Sequence, residues 1–353
     1  MTDLSTLAEG IIEALQDPIV LVNAAREVAG ANAAARGFFS DGLIGRDIAL
    51  SIRHPDVLEA LETVLAGTSE RDLEITLQGR ISTTYNVRVR GVTLPGESPD
   101  RHAVISFHDV TGAKQVERMR ADFVANVSHE LRSPLTSLLG FIETIRGPAR
   151  DDSAAQSRFL EVMDAEAKRM TRLIDDLLSL SRVEIDEHLP PTGRLNIARV
   201  LEEIAGSLSM RAAERDKRIE ISCEDGLPDV MGDQDELTLV FRNLIDNSIN
   251  YSRANTPITV SAQVVDRVPE HGGPGIAVAV RDQGEGIEQE HIPRLTERFY
   301  RVDKGRSRSM GGTGLGLAIV KHIVSHHRGQ LTIESTPGEG SVFTVYLPSD
   351  SHA

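Results

Sequence analysis

The spacing of hydrophobic and polar residues changes twice along the chain, which predicts three regions of different structure. In residues 1–112 short apolar runs with strand-like alternation are separated by helical segments. The predicted strands are PIVLVN (18–23), DLEITLQ (72–78), YNVRVRGVTL (85–94) and HAVISFHD (102–109). The segments ANAAARGFF and HPDVLEALETVLAG have helical periodicity. This region is therefore predicted to be a small α+β domain with a mostly antiparallel sheet.

From Ala113 to about Val183 the apolar residues recur every three or four positions, with an interruption near Gly147-Pro148. The apolar stripe of the first arm contains Val116, Met119, Phe123, Val127, Leu131, Leu135, Leu138, Ile142 and Ile145. The stripe of the second arm contains Met163, Ala167, Met170, Ile174, Leu177 and Ser181. Two striped helices joined by a short loop predict an antiparallel hairpin. Pairing of two hairpins in a four-helix bundle would cover the stripes, so we expect a homodimer.

After Pro190-Pro191 the pattern changes to strands alternating with helices, which predicts an α/β domain. The expected strands are 218–223, 257–266, 275–281, 330–335 and 341–347, and the expected helices are 198–215, 233–251 and 313–328. The chain is thus expected to be a multidomain α+β protein. Its predicted domains are residues 1–112, 113–190 and 191–353.

Composition narrows the class of protein. The 353 residues carry a formal net charge of -15 and only 4% aromatic residues, which argues against a nucleic-acid binder. Cys223 is the single cysteine, so an internal disulfide and a cysteine-based zinc site are excluded. We find no apolar run long enough for a transmembrane helix, and the acidic start (Asp3, Glu9) is unlike a signal peptide. These features favour the cytoplasm, with peripheral association with a membrane complex left open.

The segment Ser128-His129-Glu130-Leu131-Arg132-Ser133-Pro134-Leu135 lies in the first helical arm. The apolar stripe leaves His129 facing solvent, where a neutral imidazole is a competent nucleophile. The adjacent Glu130 has the chemistry to accept the proton from the other ring nitrogen. Pro134 removes a backbone donor, so a local kink is expected. An isolated His-Glu pair is more often just a solvated helix surface, and the flanking pattern decides between the two interpretations.

Three further segments predict a nucleotide site. Asn243 and Asn247 are four residues apart on one helix face, where their amide oxygens are suitable Mg²⁺ ligands, although a plain polar face is the alternative. Asp282 ends a predicted strand and is followed by Gly284 and Gly286, which would let backbone approach a ligand closely, or would form an ordinary turn.

A glycine-rich run, residues 311–318, precedes the last helix, and such loops bind phosphate through free backbone N–H groups. It matches neither the Rossmann fingerprint nor the P-loop pattern. Lys304, Arg306 and Arg308 in the loop before it have the reach to contact phosphates, or belong to a solvated loop.

Together these segments resemble the sensor histidine kinases of two-component systems. FVANVSHELRSPLTSLLGFIETI resembles the phosphoacceptor box, and residues 243–252, 282–287, 297–303 and 311–318 resemble the N, G1, F and G2 boxes in the family's order. The resemblance covers residues 113–349 and is strongest to the phosphate-regulon sensor kinases, through ERFYRVDKGRSRSMGGTGLGLAIVKHIV. It implies a dimeric phosphoacceptor hairpin followed by an ATP-binding α/β sandwich of the gyrase, Hsp90 and histidine kinase type. The N-terminal region resembles a PAS domain.

The resemblance also implies roles for individual residues. His129 would be the phosphoacceptor and Glu130 the base. The position four after the histidine, usually Thr or Asn and associated with phosphatase activity, is Ser133, which keeps a hydroxyl to orient a water. Asn243 and Asn247 would hold Mg²⁺. The implied ATP contacts are Asn243, Asn247, Tyr251, Asp282, Gly284, Gly286, Ile287, Phe299, Arg301, Gly312, Thr313, Gly314, Leu315 and Gly316. This chain departs from the family at Asn250, where Lys or Arg is usual, so one phosphate contact is in question.

The predicted function is ATP-dependent autophosphorylation on His129 followed by phosphotransfer to an aspartate of a response regulator. The PAS-like region is expected to take an input from an unidentified ligand or protein. A non-kinase ATPase of the same superfamily and a degenerate scaffold are the alternatives. Retention of Asn247, Asp282 and the glycines argues against a scaffold, and the intact SHELRSPL segment argues against a simple ATPase.

Overall fold

The computed structural model describes residues 10–39, 42–78, 82–93, 101–186, 191–303 and 312–349, without the side chains of residues 183–186. It divides into two compact units, Met1–Ala125 and Asn126–Ala353. The predictions made for Lys304, Arg306, Arg308 and residue 311 fall outside the described residues.

The first unit contains a five-stranded antiparallel sheet with helices between its strands. The elements are β1 (Ile19–Val22), β2 (Val28–Ala31), α1 (Ala33–Phe39), α2 (Pro55–Leu65), β3 (Glu70–Leu77), β4 (Thr83–Val92) and β5 (His102–Asp109). The strand order is β2-β1-β5-β4-β3. The sequence pattern predicted all of these elements except β2, which is too short and too small in its side chains (VAGA) to give a periodic signal.

Alternation along β4 explains why one face of this sheet is buried. Val87 and Val89 are fully buried, whereas Arg88 and Arg90 point away from the core. These arginines pair with carboxylates directly opposite on β3, Arg88 with Asp72 at 3.1 Å and Arg90 with Glu70 at 3.0 Å. Cross-strand pairs of opposite charge support the register on the exposed face.

Two long helices follow, α3 (Thr111–Arg146) and α4 (Ser153–Asp186). Within the first unit, Asp109 Oδ1 accepts a hydrogen bond from the N–H of Thr111 at 2.8 Å. The pKa of this carboxyl group is lowered by the Thr111 side chain and, to a smaller extent, by this backbone bond. The helices are interrupted at Gly147–Asp152, where the sequence predicted the loop. Pro134 is buried and lies inside α3, which continues past it.

The apolar residues of α3 divide into two neighbouring stripes. Val127, Leu131 and Leu138 are half-buried within the chain. Leu135, Leu139 and Ile142 remain exposed, at 50%, 54% and 39%. The second stripe is therefore available for another molecule, as expected of a hairpin that pairs with a second copy.

The C-terminal part of the second unit is a five-stranded sheet covered by three helices. Its elements are β6 (Arg194–Leu195), α5 (Ile197–Ala213), β7 (Arg218–Cys223), β8 (Val230–Met231), α6 (Gln234–Tyr251), β9 (Pro257–Val265), β10 (Gly275–Asp282), α7 (Gly316–His326), β11 (Gln330–Thr336) and β12 (Gly340–Pro348). The strand order is β11-β12-β10-β9-β7, with only the β7–β9 pair parallel. The pair β6–β8 forms a separate small sheet.

Helix α6 occupies the centre of this sandwich because one of its faces is apolar apart from the buried Ser248. Leu237, Phe241, Leu244 and other residues of that face are fully buried, and the helix packs on β9, β10, α5 and α7. Asp233 caps its first turn by accepting a hydrogen bond from the N–H of Glu236 at 3.0 Å. The polar face of α6 is thereby fixed in position.

The last helix begins later than predicted, at Gly316 instead of residue 313. Gly314 has a φ of +76°, a left-handed conformation that cannot continue an α-helix. Among the described residues, no helix is both long enough and apolar enough to cross a membrane.

Candidate functional site

The polar face of α6 forms the floor of a cleft with a volume of about 540 Å³. Of the residues predicted to contact ATP, those lining it are Asn243, Asn247, Tyr251, Asp282, Gly284, Gly286, Ile287, Arg301, Gly312, Thr313, Gly314 and Gly316. Phe299 and Leu315 are not among its lining residues. The structure thus brings together segments that are far apart in the sequence, and the binding role of each residue stays a prediction.

The cleft runs along α6 and has different neighbouring residues at its two ends. At one end Asn243 lies beside Gly316, where a Cβ would be 3.1 Å from Asn243 Oδ1. At the other end Tyr251 and Ser252 meet Gly284, and Ser252 forms an isolated bridge with it. A rise of 1.5 Å per residue places Asn243 and Tyr251 about 12 Å apart along the helix axis. The cleft therefore extends from the N-terminus of α7 to the carboxyl end of β10.

Asp282 provides a buried carboxylate at this second end. It is only 6% exposed, and its Oδ1 accepts a hydrogen bond from the N–H of Gly284 at 2.8 Å. Burial raises the pKa of this carboxyl group. Nearby, the Nζ of Lys217 donates to the carbonyls of Ile249 and Ser252 and so caps the end of α6. An acceptor held in this way is suited to bind an exocyclic amine.

The backbone conformation and the close packing at Gly286 leave no room for a side chain. Its φ is +72°, and a Cβ would lie 2.1 Å from the carbonyl oxygen of Thr336. A side chain would therefore displace the backbone of β11. The next residue, Ile287, is fixed by a hydrogen bond of 2.8 Å from its N–H to Ser335 Oγ.

Phe299 and Leu315 both lie within the connection between β10 and α7. Phe299 has a φ of +64°, a strained conformation for an aromatic residue, and its N–H donates to the carbonyl of Gly314 at 2.8 Å. Leu315 is fully buried. Neither residue lines the cleft.

Helix α4 contributes cleft residues that the sequence analysis missed, namely Arg172, Asp175 and Asp176. Thr313 donates a hydrogen bond from Oγ1 to Asp176 Oδ2 at 2.5 Å. Burial raises the pKa of Asp176. The one signal in the sequence is that Asp175-Asp176 lies off the predicted apolar stripe, which does not distinguish it from a solvated face.

The predicted phosphoacceptor lies on α3. His129 is exposed, and Ser133, one turn further on, is exposed as well. Glu130 is half-buried and forms an ion pair with Arg169 of α4 at 2.5 Å, while Arg301 lies 3.5 Å from the same carboxylate oxygen. The side chain of Arg169 is only 6% exposed and also contacts Glu166. Sequence reasoning identified Glu130 but not the arginine that holds it.

A second cluster of titratable groups, Glu236, His326 and His327, has the spacing of a metal site. Hydrogen bonds within the fold account for the buried histidine of this cluster. His327 Nδ1 donates to the carbonyl of Ile323 at 2.8 Å, and Nε2 accepts from the N–H of Asp233 at 3.0 Å. Both ring nitrogens are therefore used. Burial lowers the pKa of this histidine, which favours its neutral form.

The residues at the Asn243 end are chemically suited to a phosphate–metal group. Among the described residues, Asn243 Nδ2 is buried and has no hydrogen-bond partner. A buried unsatisfied donor is costly unless a ligand accepts from it. Asn243 and Asn247 both offer amide oxygens of the kind that Mg²⁺ accepts as ligands.

Three protein families match the chain. Residues 6–110 match the PAS fold, residues 119–185 the His Kinase A (phospho-acceptor) domain, and residues 232–351 the histidine kinase-, DNA gyrase B- and HSP90-like ATPase. Each match lies within one of the three predicted domains. The predicted boundaries after residues 112 and 190 remain a prediction.

The chain is similar to curated sensor kinases along most of its length. It is 35% identical over 344 residues to the phosphate regulon sensor protein PhoR of Pseudomonas aeruginosa, covering 95% of this chain and 72% of the relative. It is 36% identical over 276 residues to the sensor-like histidine kinase SenX3 of Mycolicibacterium smegmatis, covering 78% of this chain and 69% of the relative. The predicted resemblance to phosphate-regulon sensor kinases is confirmed.

One solved structure matches nearly the whole chain. The crystal structure of histidine kinase ThkA in complex with response regulator protein TrrA aligns with a TM-score of 0.50 at 18% identity, covering 96% of this chain and 98% of that chain. At this identity the similarity concerns the fold.

Proposed function

The chain belongs to the sensor histidine kinases of two-component systems, and from this premise we propose that His129 is the residue it phosphorylates, with ATP bound in the cleft along α6. The enzyme is a protein histidine kinase, and its ATPase-like domain implies ATP binding. Its phosphoacceptor domain implies dimerisation and a response-regulator partner. The observation that carries the proposal is the meeting of Asn243, Asn247, Asp282 and Thr313 in one cleft.

The two ends of the cleft suit the two ends of ATP. Asp282 is a buried acceptor for the exocyclic amine of adenine, beside the wall formed by Gly284 and Gly286. The phosphates would lie toward Asn243, where the N-terminus of α7 and the unpartnered amide favour an anion. Asn243 and Asn247 would hold Mg²⁺ through their amide oxygens, and the ion when bound neutralises phosphate charge.

The reaction follows from the chemistry of a neutral imidazole. A ring nitrogen of His129 attacks the γ-phosphorus, a nitrogen–phosphorus bond forms, and the bond to the oxygen bridging the β- and γ-phosphorus breaks to release ADP. Glu130 takes the proton from the other ring nitrogen. The phosphoryl group then passes from His129 to an aspartate of the response regulator. The protein contributes mainly positioning and charge neutralisation.

Further parts of the proposal concern regulation. The hydroxyl of Ser133 is exposed one turn after His129, where it could orient a water for dephosphorylation of the regulator. The PAS fold would take its input from a ligand or a protein. Two hairpins would pair in a four-helix bundle through the exposed stripe that includes Leu135, Leu139 and Ile142.

Incubation with γ-labelled ATP and Mg²⁺ tests the proposal. Acid-labile, alkali-stable label is expected on the wild-type protein and is expected to disappear in both His129→Ala and Asn247→Ala. His271→Ala, which changes an exposed histidine, is the matched control and should keep its label. ATP hydrolysis without label would favour the ATPase alternative, and absence of both binding and turnover would favour a scaffold.

A further inference from the structure

Two arginines from the end of α5 and the turn after it reach the polar face of α6. Arg211 Nη1 bonds to Asp246 Oδ1 at 2.8 Å, and Arg215 Nη1 donates to Asn250 Oδ1 at 2.6 Å. Arg211, Asp246 and Asn250 all line the nucleotide cleft. The face of α6 itself carries no cation at positions 246, 247 or 250. Beside Arg242, which α6 itself contributes to the cleft, Arg211 therefore brings positive charge from the neighbouring helix.

The position of Arg211 along the cleft can be derived from the axis of α6. Asp246 is three residues from Asn243 and five from Tyr251, which places it about 4.5 Å from the first and about 7.5 Å from the second along the axis. The Asn243 end faces the N-terminus of α7, and the Tyr251 end adjoins Gly284. Arg211 thus lies nearer the phosphate end than the adenine end, at the level of the diphosphate.

Arg211 is also the cleft arginine best prepared to receive an anion. Arg172 and Arg242 are exposed, and Arg172 Nε donates to a carbonyl of its own helix. The side chain of Arg301 lies against Glu130. Arg211 is held by one nitrogen, with its side chain 36% exposed. A guanidinium has five N–H donors in a planar fork, so the edge that does not hold Asp246 can bind phosphate in two places.

We propose that Arg211 binds the diphosphate portion of the nucleotide, with Asp246 as the positioning residue that orients its guanidinium. This inference rests on the proposed function and adds a phosphate contact that the sequence motifs do not contain. It places a positive charge against the nucleotide in a cleft whose lining includes Asp175, Asp176 and Asp246. The site also has a defined ligand class, a nucleoside di- or triphosphate.

The test is calorimetric binding of ATP, ADP, AMP and adenosine to the full chain, with Arg211→Gln compared to the wild type. We expect ATP and ADP affinity to fall about tenfold or more, the size of one lost charged contact. AMP should lose less, and adenosine should stay within twofold. Arg211→Lys should recover part of the loss, because it keeps the charge without the fork.

Arg199→Gln is the matched control, since Arg199 lies on the same helix, is exposed, and pairs with Glu203 within that helix. It should leave all four affinities unchanged. Equal losses for adenosine and ATP in Arg211→Gln would mean a change of fold, and no loss for ATP would mean no contact; either result overturns the inference. If the wild type binds none of the nucleotides, the proposed function fails instead.

A double-mutant cycle tests the role given to Asp246. In an Asp246→Asn background the ratio of ATP to adenosine affinity should respond less to Arg211→Gln than it does in the wild type, because the guanidinium is no longer oriented. A purely structural contribution would change both ligands and leave this ratio unaffected. Additive effects on the ratio would overturn the positioning role.

Discussion

Thr313 donates its hydroxyl proton to Asp176, which connects the residue before Gly314 to the second helix of the hairpin. Thr313 is buried, and Asp176 is half-buried. This hydrogen bond links the residues just before α7 to α4. It also holds a carboxylate in a place where burial raises its pKa.

Removal of this donor should destabilise the second unit. For Thr313→Val we expect the free energy of unfolding to fall by about 1–2 kcal/mol, because the half-buried Asp176 loses a hydrogen bond. Thr313→Ser keeps the hydroxyl and is the control. Urea denaturation at pH 7 measures the difference, and equal midpoints for Thr313→Val and the wild type would contradict the expected contribution.

The raised pKa of Asp176 predicts the opposite effect for Asp176→Asn. A carboxyl whose folded-state pKa exceeds its unfolded value of about 3.9 loses stability as pH rises from that value through the folded pKa. The amide removes this loss and still accepts from Thr313. Asp176→Asn should therefore equal or exceed the wild type in stability at pH 7, with a smaller advantage at pH 4. A less stable variant at pH 7 would contradict this expectation.

The ion pair between Glu130 and Arg169 should be strongly coupled. Arg169→Met removes the shorter of the two ion pairs of the half-buried Glu130 and leaves Arg301 at 3.5 Å, and we expect a loss of about 1–3 kcal/mol in the free energy of unfolding. In the Glu130→Gln background the same change should cost less, because no charge is left unpaired. The double-mutant cycle, measured by urea denaturation, gives the coupling energy. A coupling energy near zero would show that the two side chains act independently.

The lowered pKa of His327 should make the free energy of unfolding depend on pH. Its folded-state pKa is lowered by burial, so stability is complete above the unfolded value of about 6.5 and falls as pH drops below it. Protonation would place a second N–H against the N–H of Asp233 and disturb the start of α6. Unfolding midpoints between pH 5 and 7.5 should show this loss in the wild type. His271→Gln, at an exposed position, should keep the same pH dependence.

If Asp282 accepts from the exocyclic amine of adenine, adenine binding should weaken as the pH falls. An amine donates a stronger hydrogen bond to an ionised acceptor than to a neutral one, and burial raises the pKa of Asp282. Affinity for adenosine, which has no phosphate to titrate, should fall at a higher pH than an ordinary aspartate would allow, since that value is about 3.9. Asp282→Asn should bind more weakly at pH 7 and lose this pH dependence. A wild-type affinity constant down to pH 4 would contradict the assignment.

A charge placed in the exposed apolar stripe of α3 should prevent dimerisation. Leu139→Glu places a charge where apolar surface would be buried between two hairpins, and we expect dissociation to monomers at micromolar concentration. Leu131→Val, a small change at a half-buried position, is the control and should remain dimeric. Sedimentation equilibrium distinguishes the two states. A dimeric Leu139→Glu protein would mean that this stripe lies outside the interface.

Much of the fold was determined by the sequence because its elements have clear periods. The predicted strand at 218–223 and the predicted helix at 233–251 lie within a residue or two of the observed bounds. Candidate site residues that a few neighbouring residues mark out were also identified, such as Asp282 at a strand end and Gly286 at a turn. Their physical requirements, a defined backbone geometry and a short polar side chain, are visible in a few consecutive residues.

The tertiary structure alone decided which distant side chains share a site. Arg211 and Asp176 lie on amphipathic helices where a charged residue looks like any solvated position, so nothing local distinguishes them. They become cleft residues because α4 and α5 present them to the polar face of α6. The same holds for Arg169, which is buried by its contact with Glu130. Periodicity determines which face of a helix is polar, whereas packing determines what that face meets.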